Sequence, residues 1–147
     1  MERIAHAGGR TSRATRAEYG DLLWAGGTRA APVKGMRNPL HQPVVEHALE
    51  TITLARPFVE AVTRRDRELG SQLRRALSSV ALNLAEGWGS QGGNARLRYE
   101  SARGSVYEAR AALRVAIAWG YVSAENAFTV LESLDALGGR VFGLVRR

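Results

Sequence analysis

A chain of 147 residues has the length of one domain, and a formal net charge of +7 is a balance that suits a polyanionic partner. Apolar residues at 45% argue against wholesale disorder, and the lack of cysteine excludes disulfides and thiolate metal sites. The three histidines, His6, His41 and His47, have no zinc-binding spacing, and no apolar run reaches the roughly 18 residues of a bilayer span. No secretory leader is evident at the N-terminus. The expectation is a soluble cytoplasmic protein with no membrane partner, no metal and no cofactor.

Residues 1–40 hold seven basic and three acidic residues, against fourteen and eleven in the remainder, so over half of the excess charge lies in this segment. Six of the sixteen glycines are also there, and Gly8-Gly9 and Gly26-Gly27 would break a helix. Arg10, Arg13 and Arg16 recur at three-residue steps, and Leu22-Leu23-Trp24 is the one apolar knot. The segment reads as a disordered basic extension. It could also be a short docking motif, or lie upstream of a true start at Met36.

Helical periodicity starts after Pro43. Val44, Ala48, Thr51 or Ile52, Ala55, Val59 and Val62 form one stripe, with Pro57 expected to kink or break the helix near Ala55–Arg56. Asp66 is placed to cap a second helix carrying Leu69, Leu73, Ala76, Leu77, Val80, Leu84 and Trp88. Ser90-Gln91-Gly92-Gly93 reads as a breaker, with Asn94 as the next cap. The third helix, about 95–119, has an apolar stripe of Tyr99, Ala102, Val106, Ala109, Leu113, Ala116 and Ile117. A second stripe on it is small: Leu97, Ser101, Gly104, Glu108, Ala111 and Val115. Gly120 ends this helix and Ser123 caps a fourth, whose stripe is Ala127, Val130, Leu131, Leu134, Leu137, Val141, Phe142 and Val145. The fold class is all-α: an antiparallel up-down-up-down four-helix bundle over 41–147, preceded by a flexible extension over 1–40.

Asn83 and Glu86, and likewise Ser105 and Glu108, stand three apart on their helices. Carboxylates so spaced could bind metal, but di-iron bundles pair them with histidine, and the second to fourth helices have none. A structural or interface role for Asn83, Glu86, Gly104, Ser105 and Glu108 is expected, with Glu86 and Glu108 meeting arginines or helix-terminal amides between protomers or helices, and Gly104 small because a side chain would push neighbouring helices apart. Ser78 and Ser79 have no inferable histidine partner, and the glycine-rich loop matches no phosphate-binding motif. No catalytic residue is evident.

The arginines carry the functional expectation. Arg64, Arg65 and Arg67 cluster at the first junction, Arg74 and Arg75 follow, and Arg96, Arg98, Arg103, Arg110 and Arg114 line the third helix, where positions 96, 103, 110 and 114 step by seven, seven and four and share one face. Arg64, Arg65, Arg74, Arg75, Arg96, Arg103, Arg110 and Arg114 are the candidate contacts to RNA or DNA phosphates. The competing reading is a solvated face with ion pairs to Glu100, Glu108 and Glu132. Trp88, Trp119 and Tyr121 read as core or interface residues, leaving few aromatics for base stacking.

The runs Gln72-Leu73-Arg74-Arg75-Ala76 and Ser78-Ser79-Val80-Ala81-Leu82-Asn83-Leu84-Ala85-Glu86-Gly87-Trp88-Gly89 carry a resemblance. So do Arg98-Tyr99-Glu100, Ala102-Arg103-Gly104-Ser105-Val106-Tyr107-Glu108 and Trp119-Gly120-Tyr121-Val122. Together they resemble the bacterial four-helix bundle family of ribosomal RNA intervening-sequence proteins, which includes the accessory variability determinant of diversity-generating retroelements. The likeness spans about 44–145. It implies a homo-oligomeric ring, a pentamer, with a basic surface for nucleic acid and, in the retroelement branch, a reverse-transcriptase partner. It implies no enzyme. The function expected is a non-enzymatic nucleic-acid-binding oligomer, an adaptor for a reverse transcriptase or other nucleic-acid enzyme. The alternative is a protein-interaction scaffold whose arginines serve assembly and whose N-terminal tail docks a partner.

Overall fold

A computed structural model describes residues 42–146, so the expectations for the extension, Met36 and His41 lie outside the described residues. Four helices follow one another: α1 (Pro43–Arg65), α2 (Arg67–Gly89), α3 (Gly92–Ala118) and α4 (Ala124–Val145). Each packs against its chain neighbours and α1 also packs against α4, so short connections close an up-down-up-down bundle. Pro43 starts α1, where a missing N–H costs nothing. The Asp66 carboxylate accepts from the Leu69 amide at 2.9 Å to start α2, and Ser123 Oγ accepts from the Asn126 amide at 3.2 Å to start α4. Gly120, at φ 71°, makes the left-handed turn after α3.

The core follows the expected stripes closely. Leu73, Leu84, Leu113, Leu134 and Leu137 are its largest fully buried side chains, interleaved with Ala48, Ala102, Ala109 and Ala127. In α1 the buried set is Val45, Ala48, Thr51, Ala55 and Val62, so Val45 and Thr51 take the inner positions that Val44 and Ile52 only flank. Phe142, expected in the core, is 45% exposed.

Two expectations about helix ends are corrected. Pro57 does not break α1, which runs through it to Arg65. Pro57 and Thr53, whose carbonyl loses its partner, are both exposed, so water can satisfy that carbonyl. The pair Gly92-Gly93 is not a breaker, because α3 starts at Gly92 with Gln91 as N-cap and no side-chain cap, and Asn94 is inside the helix. Gly92 at φ 57° allows the chain to turn sharply from Ser90–Gln91 into α3.

The seam between α1 and α4 carries a polar cluster. Thr51 Oγ1 donates to the His47 carbonyl at 2.8 Å and lies 2.7 Å from Ser133 Oγ, which is 3.2 Å from His47 Nε2. With the threonine proton used on the carbonyl, Ser133 must donate to Thr51, and His47 Nε2–H must donate to Ser133. That tautomer leaves Nδ1 a bare acceptor, and it is buried without a partner among the described residues. Burial, and secondarily the Arg140 charge, hold the His47 pKa below its ordinary value against the opposing pull of Glu50.

Candidate nucleic-acid interface

The longest helix, α3, has two unlike exposed edges. On the α2 side lie Leu97, Ser101, Gly104, Glu108, Ala111 and Val115, all exposed. Contacts to α2 place this edge: Gln72 Nε2 donates to Glu108 at 3.4 Å, and Arg98 Nε is 3.0 Å from Glu86 Oε2. Between the two helices runs a hydroxyl relay. Ser105 Oγ donates to the Ser101 carbonyl at 3.1 Å, so Ser79 Oγ must donate to Ser105 at 2.8 Å. Asn83 Nδ2 then donates to Ser79 Oγ at 3.1 Å and to the Ser79 carbonyl at 2.9 Å. Ser79 and Ser105 thus serve helix pairing.

Within the chain, Glu86 and Glu108 are exposed, Glu86 beside Arg98 and Glu108 beside Gln72. A Cβ on Gly104 would meet nothing within 4 Å, so Gly104 separates no helices inside the bundle. The glycines that allow close approach between elements are Gly87, where an added Cβ would stand 2.5 Å from Tyr99 Cε1, and Gly70, where it would stand 2.7 Å from the Thr63 backbone. Leu97 among these small residues is more than half exposed, which leaves this edge smooth and partly apolar.

On the α4 side lie Arg96, Arg103, Arg110 and Arg114. Arg110 Nε is 2.7 Å from Asp135 Oδ1, which fixes this edge against α4. The carboxylate sits off the N–H line, so Nε makes no hydrogen bond although it is buried. Arg96 pairs with Glu100 at 3.2 Å. Arg103 and Arg114 have no ion pair among the described residues, and Glu132 takes none of the arginines expected to seek it. Across the seam, Phe128, Asp135 and Phe142 repeat every seven residues on α4, turned away from its buried stripe. Phe128 and Phe142, with Tyr107 of α3, are exposed, so this edge alternates guanidinium groups with rings. The expectation of few available aromatics is therefore wrong for this edge. The heptad spacing of Phe128, Asp135 and Phe142 was the signal for it.

The other candidate arginines sit elsewhere. Arg64, Arg65 and Arg67 are exposed where α1 joins α2, and Arg74 and Arg75 are exposed on α2. None joins the α3–α4 edge. The α1–α2 junction shares its end of the bundle with the α3–α4 turn, where Trp119, 69% exposed, stacks on Tyr121 at 6.5 Å between centroids.

Where α3 begins and α4 ends, the basic edge opens into a cleft of about 770 Å³ lined by Gly92, Gly93, Arg96, Arg103, Phe142 and Arg146, among others. The Arg146 guanidinium lies 5.4 Å over the Phe142 ring. Among the described residues no group of three or more His, Cys, Asp or Glu could hold a metal, and no helix is long and apolar enough to cross a membrane.

Comparison with known proteins agrees with this architecture. A crystal structure of a protein of unknown function from the S23 ribosomal protein family of Bacteroides thetaiotaomicron VPI-5482 superposes with a TM-score of 0.64. It is 15% identical, and the match covers 71% of this chain and 99% of the other, a likeness of fold. No curated protein matches. The family described as 23S rRNA-intervening sequence protein matches residues 42–143, the whole bundle but its last turn, without selecting a branch within it. The chain belongs to the 23S rRNA-intervening sequence protein family.

Proposed function

We propose that the bundle is a non-catalytic RNA-binding protein that takes the phosphate backbone along its α3–α4 edge and assembles with copies of itself through the small edge on the α2 side of α3. The observation that carries this reading is the division of α3 into two edges of opposite character. One is smooth and partly apolar. The other lines up guanidinium groups beside exposed rings, which suits a flexible polyanion with π-faces. The family's link to 23S rRNA favours RNA over DNA as the partner. Because the edges are separate, a homo-oligomer, such as the pentamer the resemblance implies, would repeat the basic edge around its axis. Service as an adaptor for a reverse transcriptase or another nucleic-acid enzyme would be a use of that complex.

One observation favours the scaffold alternative. Arg96, Arg98 and Arg110 already have carboxylate partners within the chain, which removes part of the positive field. A salt titration of binding to structured RNA and duplex DNA separates the two readings. Tight binding at low salt that weakens steeply with added salt supports the RNA reading. Absence of binding, or indifference to salt, leaves the scaffold.

A further inference from the structure

The cleft at the end of the basic edge differs chemically from the edge that leads to it. Among its lining residues Glu100 is the one carboxylate, and Arg96 already holds it at 3.2 Å. Arg103 and Arg146 have no carboxylate partner among the described residues, so two positive charges face one open space. Arg146 is held over the Phe142 ring, which orders a guanidinium that would otherwise be free on a surface. An internal phosphodiester carries one negative charge and would compensate half of this pair. A phosphomonoester carries about 1.5 to 2 negative charges at neutral pH and presents three acceptor oxygens. The exposed part of Phe142 gives the sugar or base next to such a phosphate an apolar wall. The Gly92 and Gly93 positions leave the mouth clear of side chains, since a Cβ on either would meet nothing within 4 Å.

We infer that this cleft, between the start of α3 and the end of α4, is a site for the terminal phosphate of an RNA strand whose backbone lies along the arginine edge. The inference rests on the RNA reading above. The edge supplies the direction: Arg114, Arg110, Arg103 and Arg96 descend α3 towards Gly92, over roughly 27 Å of helix from Arg114 to Arg96 at the standard rise. A strand following them reaches the cleft where the helix, and with it the edge, ends. Two uncompensated guanidinium groups then distinguish a phosphorylated end from a hydroxyl end.

The test measures fluorescence anisotropy of the full chain with one short RNA carrying a 5′-phosphate, a 3′-phosphate or hydroxyls at both ends. A terminal phosphate at one end or the other should tighten binding about tenfold, the effect of adding charge-assisted hydrogen bonds. The gain should vanish in Arg146→Gln and Arg103→Gln, with folding checked by circular dichroism. It should persist in Arg56→Gln, whose arginine pairs with Glu60 on α1, far along the sequence from the cleft. It should also shrink as pH falls through about 6, where the monoester takes up its second proton. Equal affinity for phosphorylated and hydroxyl-ended RNA would overturn the terminal site and leave backbone binding standing. A gain that survives both cleft variants would likewise overturn it. No binding of any of the three RNAs at low salt would overturn both readings together.

Discussion

Arg110 of α3 and Asp135 of α4 stand 2.7 Å apart through Nε and Oδ1, and the carboxylate neutralises the middle of the arginine edge. The pair ties α3 to α4 and subtracts one charge from the surface offered to RNA. Asp135→Asn is therefore expected to tighten RNA binding and to steepen its salt dependence. The accompanying loss of stability should be about 1 kcal/mol or less, because both side chains keep substantial solvent exposure. Binding isotherms at two salt concentrations with a thermal melt check both. Weaker binding in Asp135→Asn would mean that RNA does not use this edge.

Gly87 and Gly104 should respond in opposite ways to alanine. At Gly87 the new methyl would meet the Tyr99 ring at 2.5 Å, and the overpacking should cost about 1–3 kcal/mol by chemical denaturation. At Gly104 there is open space, and the exposed helical site should gain a few tenths to about 1 kcal/mol from the better helix former. A bulky charged residue such as Gly104→Arg should leave helix content intact but reduce the oligomer mass seen by native mass spectrometry. An unchanged mass would exclude the small edge of α3 as the assembly surface.

His47 supplies a pH dependence whose sign is fixed. Its folded pKa lies below the unfolded value of about 6.5, so the unfolded chain binds more protons between the two. Its contribution to stability is complete above about 6.5 and falls away as pH drops towards the folded pKa, then levels off. The structural reason is Nδ1, which on protonation becomes a buried N–H without an acceptor. Denaturation midpoints for the wild type and His47→Gln, whose amide can keep the contact to Ser133, should run parallel above about pH 6.5 and separate below it, where the wild type alone loses stability. Parallel curves at all pH values would contradict the tautomer assigned here.

The helices were legible in the sequence because apolar periodicity and caps such as Asp66 and Ser123 are local signals, and the structure keeps them. A break at Pro57 was not decidable from sequence, because the cost of a missing hydrogen bond depends on whether water reaches the abandoned carbonyl, which exposure decides. Gly104 raises a similar point. A small residue permits close approach, but whether the approaching surface belongs to the same chain is a tertiary fact. At the site, the seven-seven-four spacing of Arg96, Arg103, Arg110 and Arg114 correctly placed them on one edge. Their partners were not legible, since Asp135 and Arg146 belong to α4 and meet α3 only through the register of packing. Arg64, Arg65, Arg74 and Arg75 shared composition with that edge without sharing its position.

On the proposed reading, the α3–α4 edge of the bundle binds RNA through phosphates. Its most direct test is the slope of log affinity against log salt for single-stranded RNA, measured for the wild type and for the double variant Arg103→Gln/Arg114→Gln. Three or four phosphate contacts give a slope of roughly −2 to −3, and removing two of them should flatten it by about 1.4 while the oligomer mass is unchanged. A wild type that fails to bind at low salt, or a double variant with the wild-type slope, would contradict the account.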